Sequence, residues 1–183
     1  PKARITVTNV GVNPTRLGIV DALRAMGARI TLSNHRWEGG EEVADITAES
    51  SHLQGSEFGG DLIPRLLDEG PVLALAACFA EGTTIIRDAQ ELRVKESDRI
   101  KTTTQELSRI GANIEERPDG MVIHGGKKLK GAVCQSHADH RLAMTLGVAG
   151  LLASGITTVQ GAEIADISYP TFWDDLESLT RSE

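Results

Sequence analysis

Apolar residues along this chain follow the helical period in several segments, and each of these segments leads into a strand-like run. Two segments place apolar or threonine side chains on one helical face: Leu17, Val20, Leu23 and Met26 in the first, and Ile100, Thr103, Leu107 and Ile110 in the second. Each predicted helix ends at a glycine, Gly27 or Gly111, because glycine readily adopts the left-handed conformation that closes a helix. A strand is predicted directly after each glycine.

A second pair of segments repeats the same order of helix, glycine and strand. The helix that ends at Gly82 leads into a β-rich run, and so does the helix that ends at Gly155. The sequence therefore predicts units of strand, helix, strand, strand and helix over about residues 4–82, 83–155 and, incompletely, 156–183. We expect one α/β domain over residues 1–183, with pseudo-symmetric units that share a core and a third repeat that is incomplete.

Composition and charge exclude several classes of function. The 183 residues are 40% hydrophobic with a formal net charge of −7, which is typical of a globular domain large enough to bury a core. Nucleic acids and membrane surfaces select positive fields, so we expect neither as a partner. The longest apolar stretch, Leu142–Ala153, is too short to span a bilayer. A strand pattern follows Pro1 almost at once, which suggests that the sequence begins inside a longer chain.

The cysteines and histidines indicate neither a disulfide nor a metal site. Cys78 and Cys134 lie in apolar or strand-like segments, where we expect buried free thiols in a reducing, cytoplasmic compartment. Of the five histidines, only His137 and His140 are close together, and no metal-ligand spacing is present. We therefore expect neither a bound metal nor a cofactor.

The run Arg93–Arg99 crowds charged side chains of both signs at a predicted helix start. The free N–H groups and the dipole of a helix N-terminus favour anions, so this run suggests a pocket for a phosphorylated or carboxylated ligand. In that interpretation Lys95 and Arg99 hold anionic groups while Glu96 transfers a proton. The alternative is a solvated charge cluster in which Glu96 and Arg99 form an i,i+3 salt bridge.

Asp68 and Arg141 occupy equivalent places in the repeat, since each lies 14 residues before the glycine that ends its helix. Asp68 is either a base beside a substrate hydroxyl or a carboxylate that favours the helix dipole. Arg141 begins a helix that is apolar on nearly every side, so its charge needs a partner. That partner is a ligand phosphate or carboxylate, or else Asp139 or a glutamate of the chain. If the helices bundle in parallel, five residues face the same end of the domain: Asp68, Lys95, Glu96, Arg99 and Arg141.

Four motifs occur together: Arg93–Arg99, Asp139–Met144, Ile63–Asp68 and the repeated Gly-Ala-x-Ile. On these motifs, essentially the whole chain resembles the 5-enolpyruvylshikimate-3-phosphate synthase family. The resemblance implies two similar domains, each an inside-out α/β barrel-like assembly of three βαβαββ units with helices inside and sheets outside. Members are more than twice as long as this chain, so the resemblance makes it a C-terminal fragment, most of one domain.

The resemblance also implies a reaction and its proton transfers. Family members transfer the enolpyruvyl group of phosphoenolpyruvate to the 5-hydroxyl of shikimate 3-phosphate and release phosphate, in the route to chorismate and the aromatic amino acids. By matching motif positions, Asp68 is the proposed proton acceptor at that hydroxyl and Lys95 lies near it. Glu96 matches the residue thought to protonate the methylene carbon of phosphoenolpyruvate.

The remaining matched positions concern binding of phosphoenolpyruvate. Arg99 and Arg141 match arginines that bind this substrate, and His140 lines the same pocket. Glyphosate competes for this site in the family, so the two arginines are expected to contact it as well. Ile167 is a departure, because many members have at this position a lysine that touches phosphoenolpyruvate.

The resemblance implies further partners for the chain. The N-terminal part of the enzyme supplies other substrate contacts, so we expect this polypeptide alone to be inactive and the full-length protein to be a cytoplasmic monomer. Two alternatives stay open. One is the sister transferase that acts on UDP-N-acetylglucosamine, and the other is a non-catalytic anion-binding module that keeps only the scaffold.

Overall fold

The computed structural model describes residues 3–180. The strands of this part of the chain are β1 (Arg4–Gly11), β2 (Arg29–Glu38), β3 (Glu41–Glu49), β4 (Glu57–Phe58), β5 (Thr83–Ile86), β6 (Asn113–Arg117), β7 (Gly120–His124), β8 (Val133–Gln135) and β9 (Thr158–Gln160). The α-helices are α1 (Gly18–Ala25), α2 (Gly70–Cys78), α3 (Arg99–Arg109), α4 (His140–Leu152) and α5 (Phe172–Thr180). This mixture confirms the predicted α/β class.

The strands form three sheets among the described residues, ordered β1-β3-β2, β4-β5-β7-β6 and β8-β9. Most pairs are antiparallel, as in the β5–β7 ladder, where Thr83 opposes His124 and Ile86 opposes Met121. The short strands β4 and β8 instead run parallel to β5 and β9. Each parallel pair therefore needs a crossover helix, which α2 supplies in the first case and α4 in the second. The sequence pattern did not predict β4 or β8.

The helices form the centre of the fold. Helix α2 packs against α1, α3 and α4, while α5 packs against α4. The central core consists of buried apolar side chains from the helices and from the inner faces of the strands, for example Leu73, Leu75, Ile100, Leu107, Ile110, Met121, Ile123, Leu142 and Leu146. The predicted apolar face of α3 is confirmed, since Ile100, Thr103, Leu107 and Ile110 are all fully buried.

Glycines end the repeated helices, as the sequence predicted. Gly27 and Gly111 both have φ of +93°, in the left-handed region. Beyond each glycine, the next residue donates its N–H to a carbonyl five residues back, Ala28 to Leu23 and Ala112 to Leu107, both at 2.9–3.0 Å. These bonds define the Schellman motif, which satisfies carbonyls that the helix end would otherwise leave free.

Two predicted helix starts are wrong by a few residues. Lys95 and Glu96 lie outside α3, which begins at Arg99. The reason is Asp98, whose side chain accepts the N–H of Lys101 at 3.0 Å and so caps the helix. The sequence also predicts a helix over Pro170–Leu179, whereas α5 begins at Phe172. The expected ends of the domain, residues 1–2 and 181–183, lie outside the described residues.

Both cysteines are free and buried, as expected. Burial raises the pKa of the Cys78 thiol to about 12, so this thiol is held in its protonated, unreactive form. Across residues 3–180, no helix is long and apolar enough to cross a membrane.

Candidate functional site

Asp68 lies in a short 3₁₀ turn directly before α2, and three arginines surround it. Its carboxylate is 3.2 Å from Nη1 of Arg16, 3.4 Å from Nη2 of Arg141 and 3.5 Å from Nη1 of Arg99. Burial opposes ionisation of this carboxyl, but the fields of Arg141, Arg16 and Arg99 outweigh burial and lower its pKa. Asp68 is therefore an ionised carboxylate at the meeting point of three chain segments.

Arg99, the first residue of α3, is the most deeply placed of these cations, with a side chain only 1% exposed. Its Nε donates to Asp139 at 2.8 Å and its Nη2 donates to Glu96 at 2.6 Å. The second contact is the i,i+3 salt bridge between Glu96 and Arg99 that is the alternative interpretation of the sequence. Burial lowers the pKa of Arg99, but Asp139 and the other carboxylates more than compensate, so the net pKa is raised.

Asp139 is fully buried and holds the start of α4 in place. Its carboxylate accepts the backbone N–H groups of Arg141 at 2.9 Å and Leu142 at 3.3 Å, and also the hydroxyl of Ser97 at 3.0 Å. Burial raises the pKa of Asp139, but the bonds from Arg99 dominate and lower it. Because its acceptor sites are occupied within the chain, Asp139 supports the site and is not free to bind a ligand.

Arg141 makes longer ion pairs than Arg99 does. Its Nη2 and Nη1 atoms face Asp68 at 3.4 Å and Glu69 at 3.6 Å, which are long for charge-assisted bonds. Its Nε is buried and has no hydrogen-bond partner among the described residues. Burial raises the pKa of Glu69 despite the opposing field of Arg141. The guanidinium of Arg141 therefore has donor capacity for an anionic ligand.

Two open cavities meet at Asp68. The larger, about 180 Å³, is lined by polar Asp68, Glu69, Arg141 and Thr145 and by apolar Val72, Met144, Val148 and Phe172. The smaller, about 100 Å³, lies on the side of Arg16 and Lys95 and also includes Asp68 and Glu69. A carboxylate between a cationic cavity and a half-apolar one suits a small, negatively charged substrate.

Of the six residues predicted for the site, four make direct ion pairs with one another: Asp68, Glu96, Arg99 and Arg141. Lys95 joins this group through the smaller cavity that it shares with Asp68. His140 is half-buried at the first position of α4, beside Arg141, and among the described residues it is not part of the ion-pair cluster. Ile167 ends a 3₁₀ turn and is largely exposed.

Sequence reasoning missed Arg16 and the role of Asp139. Arg16 lies two residues before α1, whereas Arg99 is the first residue of α3, and no motif in the sequence marks Arg16. From the sequence alone, Asp139 is a candidate ion-pair partner of Arg141. In the structure it accepts the backbone N–H of Arg141, while its ion pair is with Arg99.

The chain matches known proteins over almost its whole length. The model of the EPSP synthase (3-phosphoshikimate 1-carboxyvinyltransferase) family matches residues 1–176. A 3-phosphoshikimate 1-carboxyvinyltransferase of Roseiflexus sp. (strain RS-1) is 61% identical over 99% of the chain, and that of Roseiflexus castenholzii is 59% identical over 98%. The chain spans about 42% of the length of each relative.

Solved structures agree with this match. EPSP synthase from Acinetobacter baumannii superposes with a TM-score of 0.92 and 40% identity, over 97% of this chain and 41% of that one. The enolpyruvyl transferase NikO from Streptomyces tendae superposes with a TM-score of 0.73, over 96% of this chain and 38% of that one. At 22% identity, NikO supports the fold alone. The predicted enolpyruvyl transferase type of fold is thereby confirmed.

Proposed function

Because this chain belongs to the EPSP synthase family, we propose that it forms part of an enzyme that joins phosphoenolpyruvate to shikimate 3-phosphate. The enolpyruvyl group is transferred to the 5-hydroxyl of shikimate 3-phosphate, and phosphate is released. The observation that carries the proposal is the convergence of Arg16, Arg99 and Arg141 on the carboxylate of Asp68. The family match favours shikimate 3-phosphate over UDP-N-acetylglucosamine as the acceptor.

Arg99 and Arg141 are the proposed ligands for the phosphate and carboxylate groups of phosphoenolpyruvate. The planar guanidinium fork matches both groups in geometry and charge. Arg141 is the more available of the two, since its contacts to Asp68 and Glu69 are long and its Nε is without a partner among residues 3–180. His140, next to Arg141 at the start of α4, lines the same pocket in this proposal.

Asp68 accepts the proton of the 5-hydroxyl in the proposed reaction, and Lys95 lies on the same side to orient that oxygen. With three arginines around it, Asp68 has a lowered pKa and is a weak base. An anion that binds Arg141 and Arg99 neutralises their field, so binding of phosphoenolpyruvate raises the basicity of Asp68 when it is needed. Substrate binding and proton acceptance are thereby coupled through the shared arginines.

Glu96 protonates the methylene carbon of phosphoenolpyruvate. The 5-oxygen forms a bond to the neighbouring carbon as this proton arrives, which gives an adduct with a new methyl group. That methyl group then returns a proton to the carboxylate of Glu96, the carbon–oxygen bond to phosphate breaks, and the enolpyruvyl product and inorganic phosphate result. The side chain of Glu96 is 46% exposed and pairs only with Arg99 among the described residues, so it is accessible to a substrate in the cleft.

The remaining part of the longer protein is the proposed partner of this chain, because the matched relatives are more than twice its length. We propose that the chain has no activity alone and that the full-length protein is a monomer of the cytoplasm.

No group of three or more His, Cys, Asp or Glu side chains within residues 3–180 is arranged to hold a metal ion. All the steps above use only side chains of the chain.

A chimera tests this proposal. The 183 residues replace the matching segment of the Roseiflexus castenholzii relative, and release of phosphate from phosphoenolpyruvate is measured with shikimate 3-phosphate present. We expect an active chimera and an inactive isolated chain. Asp68→Asn and Glu96→Gln should each lower kcat by roughly 10²- to 10⁴-fold, the usual contribution of a general acid or base.

Glu115→Gln serves as the matched control, because Glu115 is an exposed carboxylate on β6 that pairs with Arg117. Its activity should equal that of the unmodified chimera. Full activity in both site variants would contradict the proposal and favour the anion-binding module. Phosphate release by the isolated chain would contradict the claim that the chain depends on the rest of the protein.

A further inference from the structure

The turn before α4 adopts a backbone conformation that its sequence does not favour. Asp139 donates its N–H to the carbonyl of Ser136 at 3.0 Å, which closes a four-residue turn. The two central residues, His137 and Ala138, have φ of +52° and +55°. Positive φ at both central positions is the pattern of a type I′ turn, for which Asn-Gly is the preferred pair. With His-Ala in these positions, other contacts must hold the turn.

Glu106 provides those contacts from helix α3. Its side chain is fully buried, and one carboxylate oxygen accepts the backbone N–H of Gln135 at 3.0 Å. The other oxygen lies 2.9 Å from Nε2 of His137 and 3.2 Å from Nε of Arg109. The two oxygens of Glu106 therefore bind the chain at the residue before the turn and at the first central residue within it.

The same two elements are joined a second time, closer to the site. Arg99, on the first turn of α3, is bound to Asp139, the residue that ends the strained turn, at 2.8 Å. Asp139 in turn caps the helix that carries Arg141. The position of the turn thus determines where Asp139 lies, and Asp139 determines how Arg99 is held and where Arg141 begins.

We propose that His137 is a positioning residue, which together with Glu106 holds this turn so that Asp139 reaches Arg99. Within residues 3–180, the hydrogen bonds and ion pairs of His137 and Glu106 do not include Asp68 or Glu96, so the effect on the site passes through Asp139. The kinetic consequence rests on the proposed function, because Arg99 and Arg141 are its phosphoenolpyruvate ligands. The geometric consequence for Arg99 does not depend on that function.

The decisive variants remove the side chain and then restore the turn by other means. His137→Ala removes the contact with Glu106. His137→Asn combined with Ala138→Gly removes it as well but supplies the pair that favours this backbone. His124→Ala is the matched control, since His124 also pairs with a glutamate, Glu115 at 3.2 Å, on the outer β6–β7 pair.

In the chimera, His137→Ala should lower kcat/KM for phosphoenolpyruvate by roughly 10- to 100-fold, mainly through KM, because misplaced binding groups are costly. In the Asn-Gly variant, kcat/KM should recover to within about threefold of the value for the unmodified chimera. His124→Ala should have the same kcat/KM as the unmodified chimera. An unchanged KM in His137→Ala overturns the proposal. A loss that Asn-Gly does not recover also overturns it, since the imidazole itself would then be required.

The isolated chain provides a readout that is independent of activity. The Nε–H signal of Arg99 in ¹⁵N NMR should move in His137→Ala and return towards its original position in the Asn-Gly variant. If the chimera is inactive, the proposed function fails while this measurement still tests the positioning role. If His137→Ala does not fold, the test is Ala138→Gly alone, which relieves the left-handed alanine. Ala138→Gly must then be at least as stable as the original chain, and a loss of stability contradicts the strained turn.

Discussion

Two arginine–carboxylate pairs occupy similar places in the repeat and differ sharply in burial. In each, an arginine at the start of one helix meets a carboxylate just before the next helix of the same repeat. The Arg99–Asp139 pair is 1% and 0% exposed, at 2.8 Å. The Arg16–Asp68 pair is 59% and 26% exposed, at 3.2 Å.

The difference in burial suits Asp139 to structural support and leaves Asp68 accessible to a ligand. Asp139 accepts hydrogen bonds from a guanidinium, a hydroxyl and two backbone N–H groups, so its acceptor sites are occupied by groups of the chain itself. Among residues 3–180, the ion-pair partners of Asp68 are all arginines, and any anion that enters the cleft competes with it for them. The same kind of pair therefore holds the framework in one repeat and, in the proposed function, forms the reactive surface in the other.

The largest expected effect is on the buried pair. Asp139→Asn keeps the size of the side chain and a capping oxygen but leaves the charge of Arg99 without its fully buried partner. Breaking a buried pair from one side costs about 3–5 kcal/mol, which for a chain of this length lowers Tm by roughly 10 °C. Urea and thermal unfolding measure the loss.

Asp68→Asn is the comparison variant for that measurement. Because Asp68 is only partly buried and both Arg99 and Arg141 keep other carboxylate partners, its replacement should change the free energy of unfolding by about 1 kcal/mol or less. Equal losses in the two variants would remove the distinction between a structural and a reactive pair.

The buried pair should also make the stability of the chain depend on pH in the acid range. The pKa of Asp139 is lowered in the folded chain, because the bonds from Arg99 outweigh burial. A carboxyl with a lowered folded pKa stabilises the fold above its unfolded pKa of about 3.9, and this stabilisation is lost as the pH falls through the folded value. Stability should therefore drop below about pH 4, and Asp139→Asn should show a shallower drop over the same range. Parallel acid profiles would be inconsistent with the lowered pKa.

The smallest effect belongs to the exposed arginine. Arg16→Ala should change the free energy of unfolding by about 1 kcal/mol or less, since exposed ion pairs contribute little. Arg87→Ala is the control, because Arg87 is an arginine of similar exposure that pairs with Glu57 at 2.6 Å, away from the cleft. Both variants should unfold at nearly the same urea concentration, whereas a loss of several kcal/mol in Arg16→Ala alone would make that residue structural.

The sequence predicted features with a local cause. Gly27 and Gly111 end helices because a left-handed residue is needed there, and the i,i+3 spacing of Glu96 and Arg99 is enough to bring them together. The apolar face of α3 follows from periodicity. These features depend only on residues within one or two helical turns along the chain.

Features that depend on distant contacts were missed. Strands β4 and β8 are two and three residues long, too short for a periodic pattern, and they exist because β5 and β9 supply parallel partners. Arg16 has no local sign of function, since its carboxylate partner lies 52 residues further along the chain. The buried pair of Arg99 and Asp139 likewise spans 40 residues.

The most direct test of the central claim is the pKa of Asp68, measured by ¹³C NMR titration of its carboxyl carbon in the original chain and in Arg141→Met. Convergence of the three arginines predicts a pKa below the ordinary aspartate value in the original chain and a clear rise in the variant. An ordinary pKa that does not respond to loss of Arg141 would mean that these segments do not form one site.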